Sequence, residues 1–277
     1  MAKVFSTPYP YLSFMKNLML VVCLVAFACT PEPKHTPIAN NKILVILAHP
    51  DDETAVAPVL AKYAADHDVY LALATDGRYG YREHAGIPKG DSLVAVRKKE
   101  AECSCRAMGI HPPILLGFHD GSGMVTGIGE YFRQTQAMRE KVRSTIEEID
   151  PGMIITFGPD GDTGHLDHRG IGDITTEVVL REGWYEKYPV FYIGWTKDKP
   201  VSLPQNDAVN TADESYLNIR IPYSQADEEK LYAVIECHRS QFSPSEITDW
   251  IETEKKDTVN VAYFRQLTLD TRVRGDF

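Results

Sequence analysis

The sequence predicts an α/β fold, a three-layer doubly wound sheet that is mainly parallel, with helices on both of its faces. After residue 42, apolar runs of strand length alternate about five times with amphipathic runs of helix length. The run ILVIL at 43–47 is apolar at every position, which is typical of a central strand buried on both faces of a parallel sheet. The chain has no internal repeat or heptad register that would favour another fold class.

Strand and helix boundaries follow from these runs and from the breakers between them. Gly109 ends the helix before it, because glycine readily adopts the left-handed conformation that follows many helices. Pro58 either falls in the first turn of its helix, where a missing N–H costs little, or kinks that helix. Beyond Lys197 we predict an edge strand at 216–223, a helix at 226–238 and irregular structure after it. The other predicted strands are 43–48, 69–75, 113–116, 153–157 and 190–195, and the other helices are 53–65, 92–108, 130–149 and one that begins near His168.

The composition indicates a globular protein that does not bind polyanions. The 277 residues are 43% hydrophobic, which is enough for a sizeable core. The formal net charge is -10, and the lysines and arginines are scattered along the chain. Because nucleic-acid binding normally requires a concentrated basic surface, we expect no nucleic-acid partner.

The amino terminus has the features of an export signal. An apolar run at 18–28 matches the central region of a signal peptide and is too short to span a membrane. The run ends in AFAC, which resembles the lipobox of bacterial lipoproteins. We therefore predict a signal peptide at 1–29, with a lipid anchor on Cys29. Residues 30–41 are then a proline-rich tether, and residues 42–277 form a single domain.

Alternatives stay open for this segment. Ordinary cleavage after Ala28 would give a soluble periplasmic or secreted protein without a lipid. Met15 is a second candidate for the start, because it places the charge of MKNLML directly before the apolar run. A buried amino-terminal helix is the structural alternative. We predict a protein of the bacterial cell envelope that contacts the membrane only through the anchor on Cys29.

The five cysteines do not indicate a disulfide framework. Cys23 is lost with the signal peptide, and Cys29 carries the anchor. Cys103 and Cys105 are two residues apart on a predicted helix, so their side chains point to different faces and cannot pair with each other without strain. We therefore predict that Cys103, Cys105 and Cys237 are small buried apolar residues that form no disulfide.

Two polar clusters follow apolar strands of the predicted sheet. The first lies in AHPDDE after the strand at 43–48, and the second lies in GHLDH after the strand at 153–157. Both clusters are at the carboxyl edge of a parallel sheet, where ligands bind, so they could meet there. Two histidines and one aspartate with an open fourth position are a ligand set of catalytic zinc, and the remaining acids would orient ligands or take part in catalysis. The cluster residues are His49, Asp51, Asp52, His165, Asp167 and His168.

The combination of AHPDDE with GHLDH resembles the LmbE-like, or PIG-L, family of zinc-dependent de-N-acetylases. This family includes enzymes that act on N-acetylglucosaminyl phosphatidylinositol and on the sugar precursors of mycothiol and bacillithiol. The resemblance covers residues 42–242 and extends to TDGRYG, VRKKEAECSCRAMGI, LLGFHDG and AVIECHRSQ. It implies one Zn2+ ion per chain and a small-molecule or glycan substrate.

The resemblance also implies a role for each cluster residue. Asp51 would be the general base, acting on a water whose pKa zinc lowers to about 7. His165, held by Asp167, would act on the developing oxyanion or on the leaving amine. Taken singly, Asp51 could do no more than cap the next helix, and either histidine of GHLDH could be an ordinary surface residue. The implied metal ligands are His49, Asp52 and His168.

Several residues outside the clusters are candidates for contact with the substrate. Arg97 either pairs with a carboxylate near the site, which we favour because arginine suits buried ion pairs, or binds an anionic group. His238 is expected to approach the site from the carboxy-terminal helix, and Glu53 to be a first-turn acid favoured by the helix dipole. The loop at 76–90 has a composition suited to stacking on a sugar ring and binding its hydroxyls. The candidates in this loop are Tyr79, Tyr81, Arg82 and His84.

The sequence therefore predicts a hydrolase that uses one zinc ion to remove an acetyl group from an N-acetylated sugar of the N-acetylglucosamine type, or from a related amide. Iron(II) or cobalt would suit the same ligands. Two alternatives stay open: a zinc hydrolase of a different bond, and a metal-dependent carbohydrate-binding lipoprotein without turnover. Asp51, His165 and Asp167 favour the enzyme, because a binding protein needs metal ligands but neither a base nor an acid.

Overall fold

The strand that precedes AHPDDE, β1 (Lys42–Leu47), is buried inside an eight-stranded sheet in a computed structural model of the chain. The structure describes residues 40–121, 125, 127–197 and 209–275. The other strands are β2 (Asp68–Thr75), β3 (Ile114–Phe118), β4 (Met153–Phe157), β5 (Val190–Thr196), β6 (Thr211–Ala212), β7 (Ile219–Pro222) and β8 (Val261–Gln266).

The strand order is β3-β2-β1-β4-β5-β8-β7, and β6 pairs with β5. Strands β1 to β5 are parallel, whereas β8 is antiparallel to both of its neighbours, β5 and β7. The prediction of a mainly parallel, doubly wound sheet is confirmed. The prediction of an edge strand within 216–223 is also confirmed, since β7 is the last strand on its side of the sheet.

The order of the strands reverses at β1. The chain adds β2 and β3 on one side of β1 and then returns to add β4 and β5 on the other. Ile43 accordingly lies between Val69 of β2 and Met153 of β4. At such a reversal the connections diverge to opposite faces of the sheet and leave a crevice outside the strand ends, where α/β proteins bind ligands. Both polar clusters follow the two strands that border this crevice.

Helices cover both faces of the sheet. Helices α1, α2 and α5 pack together, and α3 and α4 form a second group that contacts β1. This arrangement confirms the predicted three layers. The bounds are α1 (Ala57–Tyr63), α2 (Asp91–Met108), α3 (Ile128–Ile149), α4 (Leu166–Arg181), α5 (Gln225–Cys237) and α6 (Pro244–Glu254).

The helix predicted at 53–65 is shorter than expected. A 3-10 turn, Asp52–Ala55, follows the first cluster, and α1 begins only at Ala57. The 3-10 turn and α1 are separated at Val56, whose φ angle of -131° is not helical. Pro58 lies in the first turn of α1, where its missing N–H has no intrahelical partner to lose.

The irregular structure predicted after 238 is wrong, since this segment contains α6 and β8. Ser243 and Glu246 form a reciprocal capping box at the start of α6, and Pro244 occupies its first turn. The sequence SPSE carries this signal. Strand β8 lies between β5 and β7 and so joins the last strand of the parallel part to the edge of the sheet.

A disulfide joins Cys103 of α2 to Cys237 of α5, so the prediction that neither cysteine pairs is wrong. Their Cα atoms are 5.8 Å apart because α2 packs on α5, and spacing along the chain does not reveal this packing. The expectation that Cys103 and Cys105 face different ways is confirmed, because Cys105 is a buried free thiol.

The described residues belong to one compact unit, Ile38–Phe277. The predicted signal peptide at 1–29, its Cys29 anchor and most of the predicted tether lie outside the described residues. Within the part of the chain that the structure describes, no helix combines the length and the apolar character needed to cross a membrane.

Candidate metal centre and active site

Asp52 is held by backbone groups at the carboxyl end of β1. Its Oδ2 atom accepts hydrogen bonds from the N–H groups of Ala48 and His49, at 3.0 and 2.8 Å. Its Oδ1 atom lies 3.1 Å from Nε2 of His168. Burial alone would raise the pKa of Asp52, but His168 and His49 outweigh it and hold that pKa well below the usual range. Asp52 therefore offers one carboxylate oxygen to a cation.

His168 lies in the first turn of α4, which follows β4 across the crevice. Its Nδ1 atom is 3.1 Å from the carbonyl oxygen of Gly161. Because a carbonyl only accepts hydrogen bonds, Nδ1 carries a proton, and Nε2 is the nitrogen left for a metal ion. The ring stacks on Phe157, the last residue of β4, with 4.2 Å between ring centroids. His168 is thus fixed in the tautomer that a metal ligand at Nε2 requires.

His49 lies between two carboxylates. Its Nε2 atom is 3.1 Å from Oδ2 of Asp167, and its Nδ1 atom is 3.6 Å from Oδ1 of Asp52. Asp167 Oδ2 also accepts a hydrogen bond from the N–H of Gly121 at 2.8 Å. Burial lowers the pKa of His49, but Asp52 and Asp167 outweigh that effect and raise this pKa to about 10. Asp167 therefore holds Nε2 and leaves Nδ1 facing Asp52.

The predicted ligand set of His49, Asp52 and His168 fits a metal ion. Ligand atoms that lie about 2.0–2.1 Å from a tetrahedral ion are about 3.3–3.4 Å from one another. The observed distances from Asp52 Oδ1, 3.1 Å to His168 Nε2 and 3.6 Å to His49 Nδ1, bracket this value. The second polar atom of each ligand is held by the protein, as in most metal sites. A divalent cation would displace the protons that these imidazoles otherwise carry.

A second ligand set shares two of these residues. One nitrogen from each of His49, His165 and His168 lies within 4.8 Å of the others, so the three imidazoles could also hold a metal ion. We favour the set with Asp52, because both distances from its Oδ1 atom are close to tetrahedral spacing and its Oδ2 atom is already fixed by two backbone N–H groups.

His165 precedes α4 and caps its first turn. Its Nδ1 atom accepts a hydrogen bond from the backbone N–H of Asp167 at 3.1 Å, so the neutral ring carries its proton on Nε2. Burial, together with the charges on His49 and His168, lowers the pKa of His165 to about 4. His165 is therefore a neutral hydrogen-bond donor near pH 7, with a half-exposed side chain.

The carboxylate of Asp167 has a different partner from the one expected. It lies 4.0 Å from Nδ1 of His165 but only 3.1 Å from Nε2 of His49. Asp167 holds His165 through its backbone N–H instead, which the position of His165 at the helix cap requires. Both histidines are near this carboxylate, and spacing along the chain does not decide between them.

Asp51 has a strained backbone and a fixed carboxylate. Its φ angle of 120° lies in a region that residues other than glycine rarely adopt. Its Oδ2 atom is 2.9 Å from Nη2 of Arg97, whose side chain is buried and also donates to the carbonyl oxygens of Pro50 and Gly77. Burial raises the pKa of Asp51, and Arg97 partly offsets this. The structural pair favoured for Arg97 is confirmed.

Comparison with known proteins agrees with this geometry. Residues 44–179 match the family model described as PIG-L: GlcNAc-PI de-N-acetylase. The chain therefore contains a PIG-L family domain, which the family model matches over residues 44–179. A probable N-acetyl-alpha-D-glucosaminyl L-malate deacetylase 2 of Bacillus cereus is 29% identical to this chain, over 64% of this chain and 78% of the relative. A 1D-myo-inositol 2-acetamido-2-deoxy-alpha-D-glucopyranoside deacetylase of Actinosynnema mirum is 27% identical, over 74% of this chain and 82% of the relative.

A solved structure of another deacetylase has the same fold. The N,N'-diacetylchitobiose deacetylase from Pyrococcus horikoshii superposes with a TM-score of 0.61 and covers 95% of each chain. At 19% identity this likeness concerns the fold alone.

A cavity of about 370 Å3 joins the two clusters of this PIG-L family domain. The three predicted metal ligands line it, together with Asp51, Arg97 and His165. Several other lining residues belong to motifs that carry the family resemblance, such as LLGFHDG and AVIECHRSQ, so the sequence held a signal for them. The lining residues that were not among the predicted site residues are Thr54, Gly80, Asp120, Asp162, Thr163, Gln241, Phe242 and Trp250.

The loop at 76–90 contributes little to this PIG-L cavity. Gly80 is its one lining residue. Arg82 pairs with Glu246 at 2.6 Å, and Nε2 of His84 lies 3.0 Å from the carbonyl oxygen of Arg239. The backbone N–H of Tyr79 donates to Asp120. These contacts give Tyr79, Arg82 and His84 structural partners, so their predicted contact with substrate stays a prediction.

Glu53 and His238 form a buried pair behind the PIG-L cavity. Nε2 of His238 lies 2.7 Å from Oε1 of Glu53, and both residues have zero exposure. Burial alone would raise the pKa of Glu53, but His238 outweighs it and lowers that pKa. Glu53 lies in the first turn of the 3-10 segment, as expected, but its complete burial and its pairing with His238 were not expected. The expected contact of His238 with substrate is wrong, because His238 is fully enclosed.

Proposed function

We propose that this chain is a zinc-dependent hydrolase that removes the acetyl group from the nitrogen of a sugar of the N-acetylglucosamine type. One observation carries the proposal: a ligand set for a cation, the carboxylate of Asp51 and the imidazole of His165 line the same cavity. The proposal is supported by relatives named as deacetylases of N-acetylglucosaminyl malate and of an acetamido glucopyranoside of inositol. Asp51 and His165 favour turnover over binding alone, because binding needs no base.

The chemistry begins with the activation of water. His49, Asp52 and His168 would hold a zinc ion, which would polarise the amide carbonyl and lower the pKa of a water to about 7. Asp51 accepts a proton from the attacking water at its carboxylate. Arg97, at 2.9 Å from Oδ2, fixes the direction of that carboxylate.

His165 stabilises the charge that develops on the amide oxygen. Its Nδ1 atom is occupied by the backbone N–H of Asp167, so the Nε2–H bond is the one available to the substrate. A neutral donor suits this step, because a hydrogen bond to an oxyanion strengthens as charge develops. As the C–N bond breaks, Asp51 passes its proton to the departing amine, and the products are acetate and the free amino sugar.

We also propose that the protein acts in the cell envelope. The disulfide between Cys103 and Cys237 supports this, because disulfides persist in oxidising compartments outside the cytosol. The signal-like segment at 1–29 points to the same location. Labelling of cells with a radioactive fatty acid tests the anchor: the wild type should incorporate label and Cys29→Ala should not. Label in Cys29→Ala, or none in the wild type, contradicts the anchor.

The activity is tested by incubating residues 30–277 with N-acetylglucosamine, its malate and inositol glycosides, and N,N'-diacetylchitobiose. We expect acetate and free amine in equal amounts from at least one of them. The variant Asp51→Asn should keep its zinc and lose at least about 100-fold in kcat, because it cannot accept a proton. Equal turnover by the variant contradicts the role of Asp51. Binding of a sugar without release of acetate would favour the binding protein, and release of another product would favour hydrolysis of another bond.

A further inference from the structure

We propose that Glu53 and His238 are a positioning pair that holds the peptide of Asp51 in its strained conformation and thereby aims the general base. The proposal rests on the function proposed above. Neither residue contacts the cavity, so the pair acts through Asp51.

The contacts run directly from the buried pair to Asp51. Oε2 of Glu53 accepts a hydrogen bond from the backbone N–H of Asp51 at 3.0 Å, while its other oxygen, Oε1, lies 2.7 Å from His238. The carbonyl oxygen of Asp51 accepts from the N–H and the hydroxyl of Thr54, at 3.1 and 2.7 Å. Asp51 is thus held on both sides of its Cα atom.

The backbone of Asp51 needs this support. Conformations such as φ 120° are strained in a residue with a side chain, and they persist only where the surroundings enforce them. Without the Glu53 acceptor, the N–H of Asp51 would lose its partner, and the peptide could relax toward an ordinary conformation. A relaxed peptide would turn the Asp51 carboxylate away from the cavity.

The side chain of His238 has Glu53 as its hydrogen-bond partner among the described residues. A fully buried carboxylate is stable only with a partner, and Nε2 of His238 supplies it. The other ring nitrogen, Nδ1, is buried and makes no hydrogen bond to any residue that the structure describes. His238 therefore has no second polar role that would explain its burial.

Helices α2 and α5 anchor both contacts of Asp51. Arg97 on α2 holds its carboxylate, and the residue after α5 holds its peptide through Glu53. The two helices are joined by the disulfide between Cys103 and Cys237, next to His238. Glu100 of α2 also accepts hydrogen bonds from the N–H and the hydroxyl of Ser240, at 2.7 and 2.6 Å. The anchor of the pair is therefore a rigid part of the fold.

The test separates positioning from a purely structural ion pair. Glu53→Gln keeps an oxygen for the N–H of Asp51 and an amide to face His238. The double variant Glu53→Met with His238→Leu replaces the buried pair by apolar side chains of similar volume, which is often neutral for stability. The double variant lacks the acceptor for Asp51. For each protein we would measure melting temperature, zinc content, kcat and KM, and determine a crystal structure.

We expect Glu53→Gln to keep kcat within about five-fold of the wild type. The double variant should keep its zinc and its KM but lose about 100-fold in kcat, which is the cost of a misplacement of about 1 Å at a reacting group. In its crystal structure the Asp51 carboxylate should leave Arg97, whereas Glu53→Gln should keep the 2.9 Å contact.

Three results would overturn the proposal. The first is a double variant that folds and turns over like the wild type. The second is a loss of activity in step with a loss of zinc, which would place the effect at the metal ligands. The third is a loss of kcat in Glu53→Gln equal to that of the double variant. If the wild type releases no acetate, the proposed function fails, and the distance between Asp51 and Arg97 in the crystal structures still decides the role of the pair.

Discussion

Oδ1 of Asp52 lies 3.1 Å from Nε2 of His168, and this contact joins the two polar clusters at the crevice beside β1. Each side chain is held from behind, Asp52 by backbone N–H groups and His168 by a backbone carbonyl. The two atoms that face each other are therefore the ones left for a metal ion.

The ligand set can be tested with two single variants. Asp52→Asn keeps an oxygen for the N–H groups of Ala48 and His49 but turns an amide NH2 toward the metal. We expect zinc affinity to fall by more than about 100-fold, and His165→Ala to change it less than about three-fold. Competition with a chromophoric chelator measures both. Loss of zinc in His165→Ala with retention in Asp52→Asn would assign the set of three histidines instead.

Asp167 is expected to act on the metal site through His49. Asp167→Ala removes the one oxygen that faces Nε2 of His49 and accepts from the N–H of Gly121. Zinc affinity should fall about 10- to 100-fold, as is usual when the partner of a ligating histidine is lost. The control Asp173→Ala, an exposed position on the same helix, should have no effect. Unchanged zinc affinity in Asp167→Ala would contradict the assignment to His49.

Arg97 is expected to be essential for stability as well as for orientation. Arg97→Met keeps much of the side-chain volume but leaves the carboxylate of Asp51 and the carbonyl oxygens of Pro50 and Gly77 without this donor. The free energy of unfolding should fall by about 3–5 kcal/mol, because one partner of a buried ion pair is removed. Urea denaturation checks this against Arg106→Met, an exposed arginine of the same helix. Equal midpoints for the two variants would contradict the expectation.

The disulfide between Cys103 and Cys237 determines how many thiols should react with a thiol reagent. Residues 30–277 contain three cysteines, and the disulfide leaves only Cys105 free. Unfolded protein should therefore show one reactive thiol without reductant and three after reduction. The variant with Cys103→Ser and Cys237→Ser should lose about 2–4 kcal/mol of stability, because it no longer restricts the unfolded chain. Three free thiols without reductant would show that the pair does not form.

The sequence predicted the sheet and the meeting of the two clusters. The apolar run at 43–47 identified a central parallel strand, and polar residues after two such strands must share one edge of the sheet. Asp52 and His168 come together for that reason. These inferences need only local patterns and the rule for parallel strands.

The sequence alone could not predict side-chain contacts that depend on how the helices pack. Glu53 and His238 are 185 residues apart and meet because α5 packs against the 3-10 turn Asp52–Ala55. Cys103 and Cys237 are 134 residues apart and meet because α2 packs on α5. The partner of Asp167 could not be predicted either, because two histidines lie near its carboxylate. Oδ2 of Asp167 is 3.1 Å from His49 and 4.0 Å from His165, a difference that the sequence does not reveal. The start of α6 could have been predicted from the sequence, because Ser243 and Glu246 in SPSE have the spacing of a capping box.

The central claim is most directly tested by metal analysis together with acetate release, on the wild type and His168→Ala. We would measure metals by plasma mass spectrometry in residues 30–277 and acetate release from the panel of N-acetylated sugars on the same samples. The account predicts about one zinc per wild-type chain, with zinc and acetate release both lost in the folded variant. A folded wild type that takes up no metal on addition of zinc, or a His168→Ala variant that keeps both zinc and activity, would contradict it.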